Sequence, residues 1–149
     1  MNRFLRRVAA ATLLVSASAP AASAGGPVRQ PWRCEGPGFL DGLSVEGDGI
    51  TLEGFSVKET DSFVVQGARA IVFAYDIRNR TPRAVSVDAQ VVGLDGAGRV
   101  VFGASAAPMR SMVSPGRTEQ ASTSVYADRG DLGRVATLCV RAAGGPVAD

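Results

Sequence analysis

Few side chains in this sequence could do chemistry, and the most telling fact is an absence. No histidine occurs among the 149 residues, which removes the commonest general base and the commonest transition-metal ligand together. Two cysteines, Cys34 and Cys139, stand far apart in the chain. In an exported protein an even pair is most simply a disulfide, and that use leaves no Ser–His, Cys–His or zinc centre. Paired carboxylates or a Ser–Lys pair would still serve a hydrolase, but the single lysine, Lys58, stands beside Glu59 and Asp61 and reads as a salt-bridged surface residue. The expectation is a non-enzymatic protein without a cofactor.

Three groups of binding residues stand out. Arg78, Arg80 and Arg83 fall within one short polar stretch, Arg78-Asn79-Arg80-Thr81-Pro82-Arg83. Their planar guanidinium groups suit bidentate capture of a carboxylate, a phosphate or an acidic partner, and the alternative is a solvated hairpin end. Between residues 35 and 61 lie seven acids (Glu35, Asp41, Glu46, Asp48, Glu53, Glu59 and Asp61) against Lys58 alone. Glu46-Gly47-Asp48-Gly49 places two carboxylates close together on flexible backbone, as a Ca²⁺ site would, but without the full spacing of a calcium loop. Met109 and Met112 offer soft thioethers that suit Cu(I); read as packing, they are apolar residues capping the open end of the domain. The alternative to an interaction protein is thus a small periplasmic metal carrier for Cu(I) or Ca²⁺. Arg129-Gly130-Asp131 matches an integrin-type tripeptide, but Asp-Arg-Gly-Asp is also ordinary turn chemistry, and the turn is the expectation.

The chain opens with Arg3, Arg6 and Arg7, continues through an apolar run from Val8, and reaches Ala22-Ser23-Ala24. These are the three parts of a secretory signal peptide in order, with cleavage expected after Ala24. The Arg6-Arg7 pair raises twin-arginine export, although Val8-Ala9-Ala10 after it fits that signal poorly. Cleavage leaves thirteen basic residues against fourteen acidic ones, a formal charge of −1. That balance removes the main argument for nucleic acid as a partner. The apolar run is also shorter than the ~18 residues of a membrane span, so none is expected. One lysine against fifteen arginines, with abundant alanine and glycine, is read here as a GC-rich genome, and with the leader it points to a bacterial periplasm.

What positions these residues is a set of short alternating runs. Residues 69–94 read as a central β-hairpin: Ile71, Phe73, Tyr75 and Ile77 share one face, and Val85, Val87, Ala89 and Val91 share another. Ile50-Thr51-Leu52, Phe55-Ser56-Val57 and residues 62–65 read as short strands, residues 99–104, 118–126 and 134–141 as later ones. Turns are marked by Asp95-Gly96-Ala97-Gly98, Pro115-Gly116 and residues 128–133. In the last strand Ala136, Leu138 and Val140 form the inward face, which turns Cys139 outward and makes the bridge a strap across that strand. The expected organisation is a signal peptide at 1–24, an extended lead-in without regular structure at 25–38, a β-domain at 39–142 and a flexible tail at 143–149. Trp32 is expected to be exposed and to pack beside the disulfide.

Asn79-Arg80-Thr81, Val85-Ser86-Val87, Asp95-Gly96-Ala97-Gly98-Arg99-Val100-Val101 and Pro115-Gly116-Arg117-Thr118 resemble the FxLYD-type and related immunoglobulin-like domains of bacterial exported proteins. The likeness covers residues 70–140. It departs where such domains carry an aromatic and a tyrosine before the aspartate, since Val91-Val92-Gly93-Leu94 stands there. The resemblance implies an all-β, immunoglobulin-like two-sheet antiparallel sandwich of about seven strands. It also implies an interaction role with another envelope or periplasmic protein, and no catalytic residue.

Overall fold

The computed structural model describes residues 27–62 and 65–147. The expected signal peptide lies outside them. Eight strands form two four-stranded antiparallel sheets. They are β1 (Val28–Glu35), β2 (Val45–Gly47), β3 (Ile50–Asp61), β4 (Arg69–Asn79), β5 (Val85–Asp95), β6 (Val100–Ala106), β7 (Thr118–Ala127) and β8 (Val135–Pro146). One sheet has the order β1-β8-β5-β6, the other β2-β3-β4-β7. The protein is an all-β two-sheet sandwich. Among the described residues no helix is long and apolar enough to cross a membrane.

The two runs read as a hairpin are both strands with the expected buried faces, yet they do not pair. β4 lies between β3 and β7, whereas β5 lies between β8 and β6 in the opposite sheet. The connection between them is an arch from one sheet to the other. Period-two alternation fixes which face of a strand is buried but not which strand lies alongside it. Stacking decides the matter: Phe73, Tyr75 and Ile77 need a facing apolar surface, and Val85, Val87, Ala89 and Val91 supply it from across the core. Phe55, Phe73 and Tyr75 stack at centroid distances of 5.2 to 6.3 Å. The Tyr75 hydroxyl donates 2.7 Å to the carbonyl of Ala106 on β6, a hydrogen bond that joins the two sheets. Burial, with Asp88 adding to it, pushes the Tyr75 phenol well above its ordinary range.

The hairpins lie elsewhere. β2 and β3 are joined by Asp48-Gly49, both at positive φ (47° and 76°), as a two-residue type I′ loop requires. β5 and β6 are joined through Asp95-Gly96-Ala97-Gly98. There the Asp95 carboxylate accepts from the backbone N–H groups of Ala97 and Arg99 and from the Arg99 guanidinium. The Pro115-Gly116 turn also forms, with Gly116 at φ 69° and the Arg117 N–H donating to Ser114. Ile50-Thr51-Leu52 and Phe55-Ser56-Val57 belong to one strand, β3, kinked where its register shifts between Glu53 and Ser56 around Gly54 at φ 65°. The expected strand at 62–65 falls partly outside the described residues, and Ser62 and Val65 are not in a strand.

Both ends of the domain are more regular than expected. The lead-in contains β1, and the expected tail continues β8 as far as Pro146. Val28 pairs with Gly144 and is fully buried, and Val87 pairs with Gly144 on the other side. Gly144, inside the expected tail, stands at a close approach. A Cβ on Gly144 would lie 2.8 Å from the Ser86 carbonyl oxygen.

With β3, β4 and β7 read as strands A, B and E, and β8, β5 and β6 as F, C and C′, the order is that of an immunoglobulin-type sandwich. The position beside F that strand G fills in such sandwiches is taken here by β1. The Cys34–Cys139 disulfide joins directly opposed residues of β1 and β8. Leu138 and Val140 enter the core cluster and Cys139 does not, as its parity requires, yet Cys139 is buried rather than displayed outward. Ala136 is exposed rather than inward: the register slips between Leu94 and Asp95, and Val135 is buried instead.

Candidate interaction site

The three arginines do not form one loop patch. Arg78 lies on the outer face of β4, 3.1 Å from Glu53 on β3. Arg80 lines a cleft over the β2–β3 turn together with Glu46 and Asp48. Arg83 closes the arch, where its backbone is held by Asn79 and Thr81. Two sites expected separately, the arginine turn and the Glu46/Asp48 pair, thus meet in one cleft. A guanidinium beside two carboxylates already offers them a countercharge, so the donor set suits a hard cation poorly.

The hub of this end of the molecule is Asn79, which the sequence showed only as a turn residue. Its side chain is fully buried. Nδ2 donates to the carbonyls of Arg83 at 2.8 Å and Val113 at 3.0 Å, and Oδ1 accepts from the Thr81 N–H at 2.9 Å. One amide thus reaches three backbone groups of the sheet-to-sheet crossover, alongside the Thr81 hydroxyl on the Arg83 carbonyl and the Val85 N–H on the Val113 carbonyl. Val113, fully buried, bridges to Val85 and caps this end of the core. Met109 does not cap it, being 98 % exposed, and Met112 is also exposed.

At the opposite end Glu59 does the corresponding work. Its carboxylate accepts from the Arg69 guanidinium at 3.1 Å and from the backbone N–H groups of Gly130 at 3.1 Å and Leu132 at 3.4 Å. The Gly130 hydrogen bond is the main reason its carboxyl is held below the ordinary value; partial burial opposes this, and Arg69 and Leu132 reinforce it. Asp131 accepts from the Asp128 N–H and pairs with Arg134, so the Arg-Gly-Asp stretch is turn chemistry. Asp61 pairs with Arg69, and Glu35 with Arg33. Among the described residues no group of three or more His, Cys, Asp or Glu is placed to hold a metal ion.

The feature that sequence reasoning missed is at the sheet edges. Two sheets have four edge strands, and three of them carry devices that discourage a further strand. β2 is only three residues long and covers β3 only at Ile50–Leu52; beyond it that edge of β3 carries Glu53, Lys58, Glu59 and Asp61 and a register shift. β6 is short and its register with β5 is broken. β1 holds Pro31 within a register shift between Gln30 and Arg33, is bolted to β8 by the disulfide, and carries Arg29 and Arg33. Trp32 is displayed at that irregularity, exposed as expected, with the Arg141 guanidinium 5.4 Å from its ring centre.

β7 has none of these. It runs ten residues without proline, lysine or arginine, and it pairs with β4 in unbroken register from Thr118 to Ala127. Among the described residues no backbone hydrogen bond ties it to anything beyond β4. Beside it on the sheet is a groove of about 370 Å³ whose lining includes Thr60, Ala70, Val72, Ser122, Ser124 and Tyr126. Tyr126 is 63 % exposed. Compared with protein-family models, curated proteins and solved structures, the chain matches none.

Proposed function

We propose that this protein is a non-enzymatic interaction module of the bacterial periplasm, which holds another protein by accepting a strand at the β7 edge. The observation that carries the reading is the contrast among the edges: only β7 is long, straight, uncharged over most of its length and unprotected. Main-chain groups on the open side of such a strand give affinity to an added strand, and side-chain pockets beside it give selectivity. The groove next to Tyr126 is such a pocket. The export signal, the even cysteine pair and the immunoglobulin-type strand order are consistent with an adhesive or accessory role. Arg80 and Arg83 lie at the far end of the sandwich and add a local positive field rather than the main contact.

Photo-crosslinking tests this in cells. A photoreactive residue in place of Tyr126 on β7 is expected to give a specific protein adduct, and one in place of Trp32 on β1 is not. Adducts from position 32 alone, or from neither, would overturn the assignment of the binding edge.

A further inference from the structure

We infer that the strand which docks on β7 is the β7 of a second copy of this chain, paired antiparallel across a two-fold axis at Ser124. This rests on the reading of β7 as an accepting edge and adds the identity of the partner. A strand that meets itself must be self-complementary, and across a two-fold axis opposed residues must share a face of the sheet. The candidate centres near the middle of β7 are therefore few, and they differ in what they set opposite Glu119, the one charged residue of the strand.

With the axis at Ser122, Glu119 would face Val125, and with the axis at Thr123 it would face Ala127. With the axis at Ser124 it lies opposite the turn that follows the second copy's strand, where Arg129 is an exposed cation, and the same approach occurs twice. That register also sets the exposed Tyr126 opposite Ser122, beside the groove floored by Ala70 and Val72. An aromatic ring across from a small hydroxyl, over apolar floor, is a favourable cross-strand arrangement. Thr123 then faces Val125, and Ala121 faces Ala127. No like charges oppose one another, and the signal-free chain carries a formal charge of only −1, too small to hold two copies apart.

Sedimentation equilibrium of the signal-free protein reads the outcome. A monomer–dimer equilibrium is expected. Ser124→Lys, which sets two lysines face to face on the axis at an exposed position, should leave only monomer. Glu119→Arg and Arg129→Glu should each weaken the dimer about tenfold, because like charges then meet at both symmetric contacts. The double exchange Glu119→Arg/Arg129→Glu should restore it, a rescue that loss of fold or a different interface would not give. A wild-type protein that stays monomeric to millimolar concentration, or a dimer indifferent to all these variants, overturns the inference. The edge reading is judged separately: adducts from position 126 to a different envelope protein would leave it standing with another occupant, whereas no adduct there, with a monomeric protein, would end both.

Discussion

β1 and β7 are both edge strands of the same sandwich, and they solve the edge problem in opposite ways. β1 is irregular, charged and covalently tied to its neighbour, so that its outer side is a poor template. β7 is regular, rich in serine and threonine, and among the described residues its hydrogen bonds are the ladder to β4 and a Gln120–Asp76 side-chain bond across that pair, with the Glu59 clamp on the loop that follows it. The difference teaches that this fold does not lack the means to close an edge. It applies them at β1, β2 and β6 and leaves β7 open, the contrast on which the proposed edge pairing rests.

The largest expected effect comes from weakening the closed edge. Replacing Cys34 and Cys139 together with alanine removes a link spanning 105 residues, and should lower stability by about 5 kcal/mol on the loop-entropy account. Urea denaturation measures it, and circular dichroism should show the β-fold retained, because Val28 and the β1–β8 ladder stay in place. Loss of the native β signal would mean that β1 is held by the bridge alone. Next in size is the arch that carries the chain between the sheets. Asn79→Ala leaves the N–H of Thr81 without its partner and takes one of two donors from each of the carbonyls of Arg83 and Val113, which keep the Thr81 hydroxyl and the Val85 N–H, and should cost about 1–2 kcal/mol by chemical denaturation. A change below 0.5 kcal/mol would show that the crossover does not depend on this amide.

The clamp behind β7 predicts a pH dependence. The Glu59 carboxyl is held below its ordinary value of 4.5, chiefly by the Gly130 N–H. The unfolded chain therefore binds this proton more readily than the folded one. The stabilisation is present in full above about pH 4.5 and is lost as pH falls through the lower folded value. Thermal melts of Glu59→Gln should show a shallower fall of Tm below pH 4.5 than the wild type. Superimposable slopes would exclude Glu59 as a source of acid sensitivity. Asp95, similarly lowered by the Arg99 backbone N–H, contributes to both proteins alike.

The smallest effect concerns the arginines. Arg78→Ser/Arg80→Ser/Arg83→Ser should change stability by no more than about 0.5 kcal/mol, since Arg78 and Glu53 form a half-exposed pair of little worth. Differential scanning calorimetry checks it. Retention of β7-dependent capture in this variant would sharpen the contrast between the ends of the molecule, and loss of capture would move the binding site to the arch.

Much of the fold was legible because burial parity is a local property. The alternations at residues 71–77 and 85–91, the Asp95 turn, the Pro115-Gly116 turn and the cysteine pair all stand where the sequence put them. Pairing was not legible, because the same alternation serves a hairpin and an arch. The signal that separates them is Asn79, a polar residue in step with the buried face of β4. The continuation of β8 through Gly144 was illegible for a related reason, since a residue without a side chain marks a frayed end and a close approach equally well. The open edge was illegible for a third reason: strand order decides whether β7 lies at a rim or in the middle, and strand order is set by contacts distant in sequence.

The central claim, that β7 and not β1 is the accepting edge and that a second copy occupies it, is tested most directly by residue-resolved amide hydrogen exchange at rising protein concentration. The account predicts that alternate amides of Thr118–Ala127 exchange quickly in dilute solution and become protected as concentration rises, while those of Val28–Glu35 do not change. Protection that grows at β1, or exchange in β7 that is slow and independent of concentration, would contradict it.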